Sequence, residues 1–367
     1  MSTNFLKRNT ENTAQKKTML WWGRFDAGYS RNRVLRHLLQ KAGWRLQDFV
    51  PFISSFGMLE ALLKKIEKPD AVWVPAFRQR DFQSARKYAD RHRIPLIFDP
   101  LISAWDKEVY ERKKFSTTDY RARKVLKFEQ NIFSRADILI ADTEPHGRFF
   151  IDELSAPAAR THVIPVGAEE GLFTRQASHA PARPPEIFFY GSFISLQGSE
   201  TIIEAAIQVP EACWVLLGNG PERNICEQKS KGHGHIRFED PLPYEKLPER
   251  IGKADILLGI FGSSPKAGRV IPNKVYQSLA CGRPLVTRQS PAYPEMLQHS
   301  LDCGISFVPP ENPGALAAAV RALLADPRQL PKLGVQARNS YNEWFSESHI
   351  RKALAVVLAK LPEHLVK

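Results

Sequence analysis

Three cations, Lys266, Arg269 and Lys274, gather where a Gly/Ser loop over residues 261–269 runs into a helix. Pro272 suits the first helical position, where its missing N–H costs nothing, and Gly282 suits the residue just past the helix end. Lys274 then falls in the first turn, where the positive end of the macrodipole disfavours cations. Such a cluster is locally unfavourable unless something anionic sits among it, and free N–H groups at a helix start already favour anions. The chemistry this predicts is a pocket for phosphate or diphosphate. The competing reading is a solvated basic loop beside an ordinary helix. Within the helix, Asn273, Lys274 and Gln277 share one face, while Val275, Tyr276, Leu279 and Ala280 fill the other. That polar face leads from the phosphate toward a nucleotide's ribose, unless Gln277 merely faces water.

The elements around this segment alternate twice over. In the first half, apolar strands at 18–23, 45–50, 71–75, 94–99, 136–142 and 162–167 are interleaved with helices near 31–42 and 81–92. This alternation implies a parallel, doubly wound sheet. A Pro- and Ala-rich linker over 175–185 interrupts it, and the pattern restarts with EIFFYG at 186–191. The expected division is a basic, disordered lead over 1–17, a first domain over 18–174, the linker, a second domain over 186–345, and a closing helical segment over 346–367.

Ligands of doubly wound sheets sit beyond the carboxyl ends of the strands. In the first domain that rule selects the loop 23–30 and the segment 99–103. In the second it selects 191–198, 218–222 and 261–269. Asp99 ends an apolar strand and precedes Pro100, which places its carboxylate toward the cleft or caps a turn. Gly28 lets the first loop approach a ligand closely.

The stretch GIFGSSPKAGRVIPNKVYQSLACGRPLVT, residues 259–287, resembles the C-terminal signature of the group 1 (family 4) retaining glycosyltransferases. The closest likeness is to a branch carrying a KAxRVIPNKVYE-like signature. FFYGSFISLQGSETIIEAA at 188–206 is similar to that branch's glycine loop, and WVLLGNGPE at 214–222 follows in the expected order. Several ordered motifs together are far more specific than one glycine loop.

The resemblance implies the GT-B fold: two Rossmann-like α/β domains facing across a cleft, with the last helix crossing back onto the first. It implies transfer of a sugar from a nucleotide-sugar, UDP- or GDP-linked, with retention, in cell-envelope polysaccharide or glycan assembly. On the donor side it selects Gly191, Ser192, Phe193, Gly218, Lys266, Arg269, Pro272, Asn273, Lys274 and Gln277. Arg269 and Lys274, with Asp99, are the expected catalytic groups. The acceptor side takes Gly28, Tyr29, Arg31 and Asn32 from the GYSRN segment, and Glu295. Relatives usually carry Glu where Gln277 stands, and many carry a basic residue where Ser192 or Gln197 stands. The phosphate charge therefore falls on the three cations. Fixed positive charge and helix N–H donors aimed at the leaving diphosphate stabilise the transition state. No metal and no cofactor beyond the donor is expected.

Composition is compatible with this. The chain has 367 residues, a formal net charge of +13, 43% hydrophobic and 25% charged residues. The positive balance favours anionic surroundings. No apolar run approaches the ~20 residues that span a bilayer, and the chain lacks an apolar signal centre, so a cytoplasmic protein is expected. Cys213, Cys226, Cys281 and Cys303 are widely spaced, which indicates neither a zinc site nor a disulfide framework. Among the cations, residues 107–127 form a basic stretch interleaved with apolar residues. It predicts peripheral contact with an anionic membrane face presenting a lipid-linked or saccharide acceptor. Two other readings stay open: a nucleotide-sugar epimerase of GT-B fold and a basic nucleic-acid-binding protein. For the last, no RNP-type, helix-turn-helix or zinc signature is present, and no nucleic-acid partner is expected.

Overall fold

The computed structural model describes residues 17–112, 114–177 and 184–361. The polar lead, most of the 175–185 linker and the last residues of the chain lie outside that set.

The first sheet consists of β1 (Thr18–Trp22), β2 (Arg45–Phe49), β3 (Ala71–Val74), β4 (Leu96–Phe98), β5 (Ile138–Ala141) and β6 (Thr161–Val163). Its spatial order is β2-β1-β3-β4-β5-β6, and every pairing is parallel. The strand sequence shows why both faces are covered. Side chains alternate with period two, so Met19 and Trp21 enter one core while Leu20 and Trp22 enter the other. Trp21 stacks on Trp73 with ring centroids 5.2 Å apart. The helix Ser30–Lys41 and the closing helix Glu347–Leu358 cover that face, the latter through Ile350, Leu354 and Val357. The last helix of the described residues therefore packs on the first sheet.

The second sheet consists of β7 (Glu186–Gly191), β8 (Cys213–Gly218), β9 (Ile236–Glu239), β10 (Ile256–Leu258), β11 (Leu285–Arg288) and β12 (Ile305–Val308). It is again all parallel, ordered β12-β11-β10-β7-β8-β9. Ile187 and Phe189 point to the core under the helices Ser199–Gln208 and Pro313–Leu324. Phe188 and Tyr190 point to the core that holds the helix Asn273–Ala280. Two six-stranded, doubly wound α/β domains with a cleft between them are the expected GT-B architecture.

The differences from the sequence reading are local. β4 and β6 are shorter than their apolar runs, and Pro165, which has no N–H for a ladder, follows β6. Pro272 has φ −72° and ψ 151°, an extended cap, so the helix proper starts one residue later at Asn273. An N-cap residue is extended by nature, and proline's fixed φ suits that conformation as well as the first turn.

Candidate active site

The carboxyl ends of β7 and β8 meet so closely that side chains are excluded. A Cβ on Gly218, which has φ +128°, would collide with the Gly191 carbonyl, and one on Gly220 with the Ser192 carbonyl. The loop after β7 folds back on itself: the Ser192 N–H donates to Gln197 Oε1 at 2.9 Å. Gly191 and Ser192 line a cavity of about 460 Å³ between the domains, opposite the start of the helix Asn273–Ala280. Phe193 does not line it. Its ring packs against Phe189 and Phe238 in the core, so it supports the loop from behind. Gly218 likewise acts by permitting the close approach rather than by facing the cavity.

Pro272, Asn273, Lys274 and Gln277 all reach this cavity, as the helix periodicity requires. Lys274 is the distinctive one. Its ammonium lies 3.8 Å from the centroid of the Phe189 ring and has no hydrogen-bond partner. Burial holds it well below the ordinary lysine range. A buried cation without a counter-charge is costly. Here it stands beside a helix start with no acidic residue in the first turn. Cation and helix dipole both favour a negative ligand at this spot.

The other two cations are already paired, which the sequence reading did not foresee. Lys266 forms an ion pair with Glu111, and Arg269 lies 2.6 Å from Asp106. Both carboxylates belong to the short helical segment Ala104–Glu111 of the first domain. The Arg269 guanidinium also lies 4.1 Å from the centroid of the Phe149 ring, and its carbonyl accepts from the Thr143 hydroxyl. The loop is thereby fastened across the cleft. Acidic partners in a distant segment leave no local trace in the sequence.

Gln277 sits in a polar chain rather than facing water. Its Oε1 accepts from the Tyr190 hydroxyl at 2.9 Å, and its Nε2 donates to the Tyr244 hydroxyl at 3.2 Å. Tyr244 donates to Glu169 at 2.9 Å, and Glu169 pairs with Arg33 at 3.2 Å. Burial raises the pKa of both phenols, so they act as hydrogen-bond donors. Tyr190 was visible as an aromatic of a buried strand; only the three-dimensional placement of its hydroxyl shows its role.

On the first-domain side, the GYSRN segment divides. Tyr29 lines the cavity together with Asn273. Gly28 is exposed, held by Asp26 at 2.7 Å. Arg31 and Asn32 are buried away from the cavity. Asn32 donates to the Asp26 carbonyl, and Arg31 donates to the Ile164 and Pro165 carbonyls. Asp99 does not point into the cleft. It is fully buried and accepts from Arg31 Nε at 2.9 and 3.0 Å. Burial pushes its carboxyl up against the pull of the Arg31 guanidinium. A short strand cannot present every terminal side chain to solvent, and here the neighbouring arginine draws the carboxylate inward.

Asp142, which follows β5, does line this cavity, as does Glu111. Asp142 is bonded to His146 Nδ1 at 2.6 Å. ADILIAD ends in aspartate as IPLIFD does, so the same carboxyl-end rule applied to both strands would have found it. Glu295 lies in a second cavity of about 620 Å³, together with Tyr293 and Arg148. Asp142 and Ile271 line both cavities, so Glu295 stands apart from the donor-side cluster. Among the described residues no group of three His, Cys, Asp or Glu could hold a metal ion. The four cysteines are free thiols. No helix of the described residues is long and apolar enough to cross a membrane.

Residues 21–167 match the family model "Glycosyl transferase 4-like domain" and residues 184–326 the model "Glycosyl transferases group 1". Among curated relatives, the chain is 27% identical over 241 residues to the D-inositol 3-phosphate glycosyltransferase of Geodermatophilus obscurus. That match covers 59% of this chain and 51% of the relative. The chain spans about half the length of the curated relatives it matches. Solved structures agree over nearly the whole chain. Sucrose-phosphate synthase of Thermosynechococcus elongatus superimposes with a TM-score of 0.74 at 16% identity, covering 94% of this chain and 99% of that one. Anabaena HepE in complex with UDP gives 0.68 at 15% identity, covering 94% and 100%. These likenesses show the GT-B fold. Neither the epimerase nor the nucleic-acid reading is favoured by any of these matches.

Proposed function

We propose that this chain, whose two halves match group 1 and 4-like glycosyltransferase domains on a GT-B fold, transfers a sugar from a nucleotide-sugar donor. The single observation that carries the reading is the unpartnered Lys274 ammonium at the helix start, facing the Gly191–Ser192 loop across a cavity. The donor's diphosphate seats there, where the cation and the backbone N–H groups meet the charge that grows as the C1–O bond breaks. Arg269 and Lys266 add to this stabilisation from the neighbouring loop, and Asp142 meets the acceptor side. The nucleoside extends along Gln277 toward Tyr244. The UDP complex of Anabaena HepE supports a nucleoside diphosphate as the leaving group. Retention of configuration, a UDP- or GDP-linked donor and a cell-envelope saccharide or lipid-linked acceptor are part of the proposal. So are the absence of a metal requirement and a peripheral position on the inner membrane face. A panel of UDP- and GDP-sugars, scored by nucleotide release with and without EDTA, tests it. Turnover of at least one donor that persists in EDTA is the expected result. No release from any nucleotide-sugar overturns the reading.

A further inference from the structure

Two lysines line the cavity between the domains, and they stand in unequal states. Lys274 has no hydrogen-bond partner, whereas Lys266 is ion-paired with Glu111 of the first domain. That pair is largely buried, with 6% of the Lys266 and 11% of the Glu111 side chain exposed, and both residues line the cavity. Asp142, a second carboxylate on the lining, is engaged by His146 of its own domain. Glu111 thus places an anion from the opposite domain on one of the two cations that a diphosphate would use.

Glu111 ends the π turn Lys107–Glu111, a rare geometry that recurs at functional sites. Its carbonyl accepts from the Ser195 hydroxyl at 3.2 Å, in the turn Ser195–Gln197 of the glycine loop. Gln197 of the same turn holds the Ser192 N–H. Glu111 therefore touches one wall of the cavity through its backbone and the loop 261–269 through its side chain. The neighbouring pair is of another kind. Asp106 is fully buried, and the Arg269 guanidinium it holds also lies on the Phe149 ring. Asp106 anchors the segment, while Glu111 reaches the cavity.

We infer that Glu111 is a built-in competitor of the donor's phosphate, holding Lys266 until a diphosphate displaces it. The inference rests on the transferase reading only in assigning that diphosphate to the donor. A ligand gains no more than the difference between the pairing it makes and the pairing it replaces. Its apparent affinity is reduced by the fraction of molecules in which Lys266 is already taken. Burial deepens the competition, because the attraction to be broken is stronger away from water. Lys274 is open to the ligand at once, and Lys266 becomes available only as Glu111 withdraws.

The test is calorimetric titration of the full chain with inorganic pyrophosphate. Glu111→Gln is expected to bind it ~10-fold more tightly than the wild type, the size of one charge-assisted contact no longer broken. Glu111→Asp keeps the charge but draws it back by one methylene. It should give part of that gain, and it decides alone if the Gln variant unfolds. Glu108→Gln removes an equal charge from the same turn, where the partners are Arg112 and Lys114, and should leave the affinity unchanged. In a Lys266→Met background the gain from Glu111→Gln should shrink to less than ~3-fold, since the competed cation is gone. No gain in the Glu111 variants, an equal gain from Glu108→Gln, or a full gain without Lys266 overturns the proposal. Donor turnover is read separately. A pyrophosphate gain with no nucleotide-sugar turned over would sink the transferase reading and leave the displaced carboxylate standing; turnover without the gain would do the reverse.

Discussion

The guanidinium of Arg269, in the second domain, lies 2.6 Å from the fully buried carboxylate of Asp106, in the first. With Lys266 and Glu111 beside it, this pair fastens the phosphate loop to the opposite wall of the cleft. The structural role this pair gives Arg269 and the catalytic role proposed for it separate experimentally. Arg269→Ala should lower turnover by ~100-fold, as loss of one charge-stabilising group does, and should lower the melting temperature by stranding Asp106. The double variant Arg269→Ala, Asp106→Ala should recover the melting temperature but not the turnover. Recovery of both would assign Arg269 to structure alone.

Gln277 donates to Tyr244, whose hydroxyl proton is committed to Glu169. A carboxylate at 277 cannot donate, and it sets a second negative charge on the same phenol. Gln277→Glu should therefore weaken donor binding by roughly tenfold, the size of one lost hydrogen bond to a charged network. Adding Glu169→Gln returns a single carboxylate to the chain and should restore affinity. Calorimetric titration with UDP reads both, and an affinity gain in the single variant would sever Gln277 from the network.

The two strand-end aspartates should behave oppositely. Asp99→Asn leaves the Arg31 charge uncompensated in the first domain's interior. The expected cost is about 3–5 kcal/mol of stability, read by denaturant unfolding. Asp142→Asn keeps a hydrogen-bonding partner for the buried His146 Nδ1 and should cost less stability than Asp99→Asn, while lowering turnover on the acceptor. Parallel unfolding curves and kinetics check the contrast, and equal losses of turnover per folded molecule would refute it.

Lys274 should make donor binding proton-linked. Burial holds its free-state pKa below the ordinary value of 10.5. Its contribution to stability is thus full above 10.5 and falls as pH drops through the depressed value, where the buried group must charge. A bound diphosphate stabilises the ammonium form and raises the pKa again. On the alkaline side, at about pH 9, UDP binding should therefore take up a proton. Calorimetry in two buffers of different ionisation enthalpy measures the uptake, and the same uptake in Lys274→Met would assign it elsewhere.

Much of this was legible in the sequence because strand ends and helix starts are local. The alternation of apolar runs implied both sheets, and the Pro272–Gly282 punctuation located the helix that carries Lys274, Asn273 and Gln277. What stayed hidden depends on long-range pairing. Glu111 and Asp106 neutralise cations more than 150 positions away, at Lys266 and Arg269. Arg31 turns Asp99 inward, and Tyr190, Tyr244 and Glu169 reach Gln277 from three separate elements. Residue type and spacing nominate groups for a cleft; only the fold decides which of them face it.

The central claim is that Lys274 receives the donor's diphosphate, and titration of wild type and Lys274→Met with UDP and GDP measures it directly. The account predicts that the wild type binds at least one of the two. Lys274→Met should bind that nucleotide ~100-fold more weakly and melt no lower than the wild type, because it removes a buried, unpaired ammonium. Equal affinity in the two proteins would contradict it.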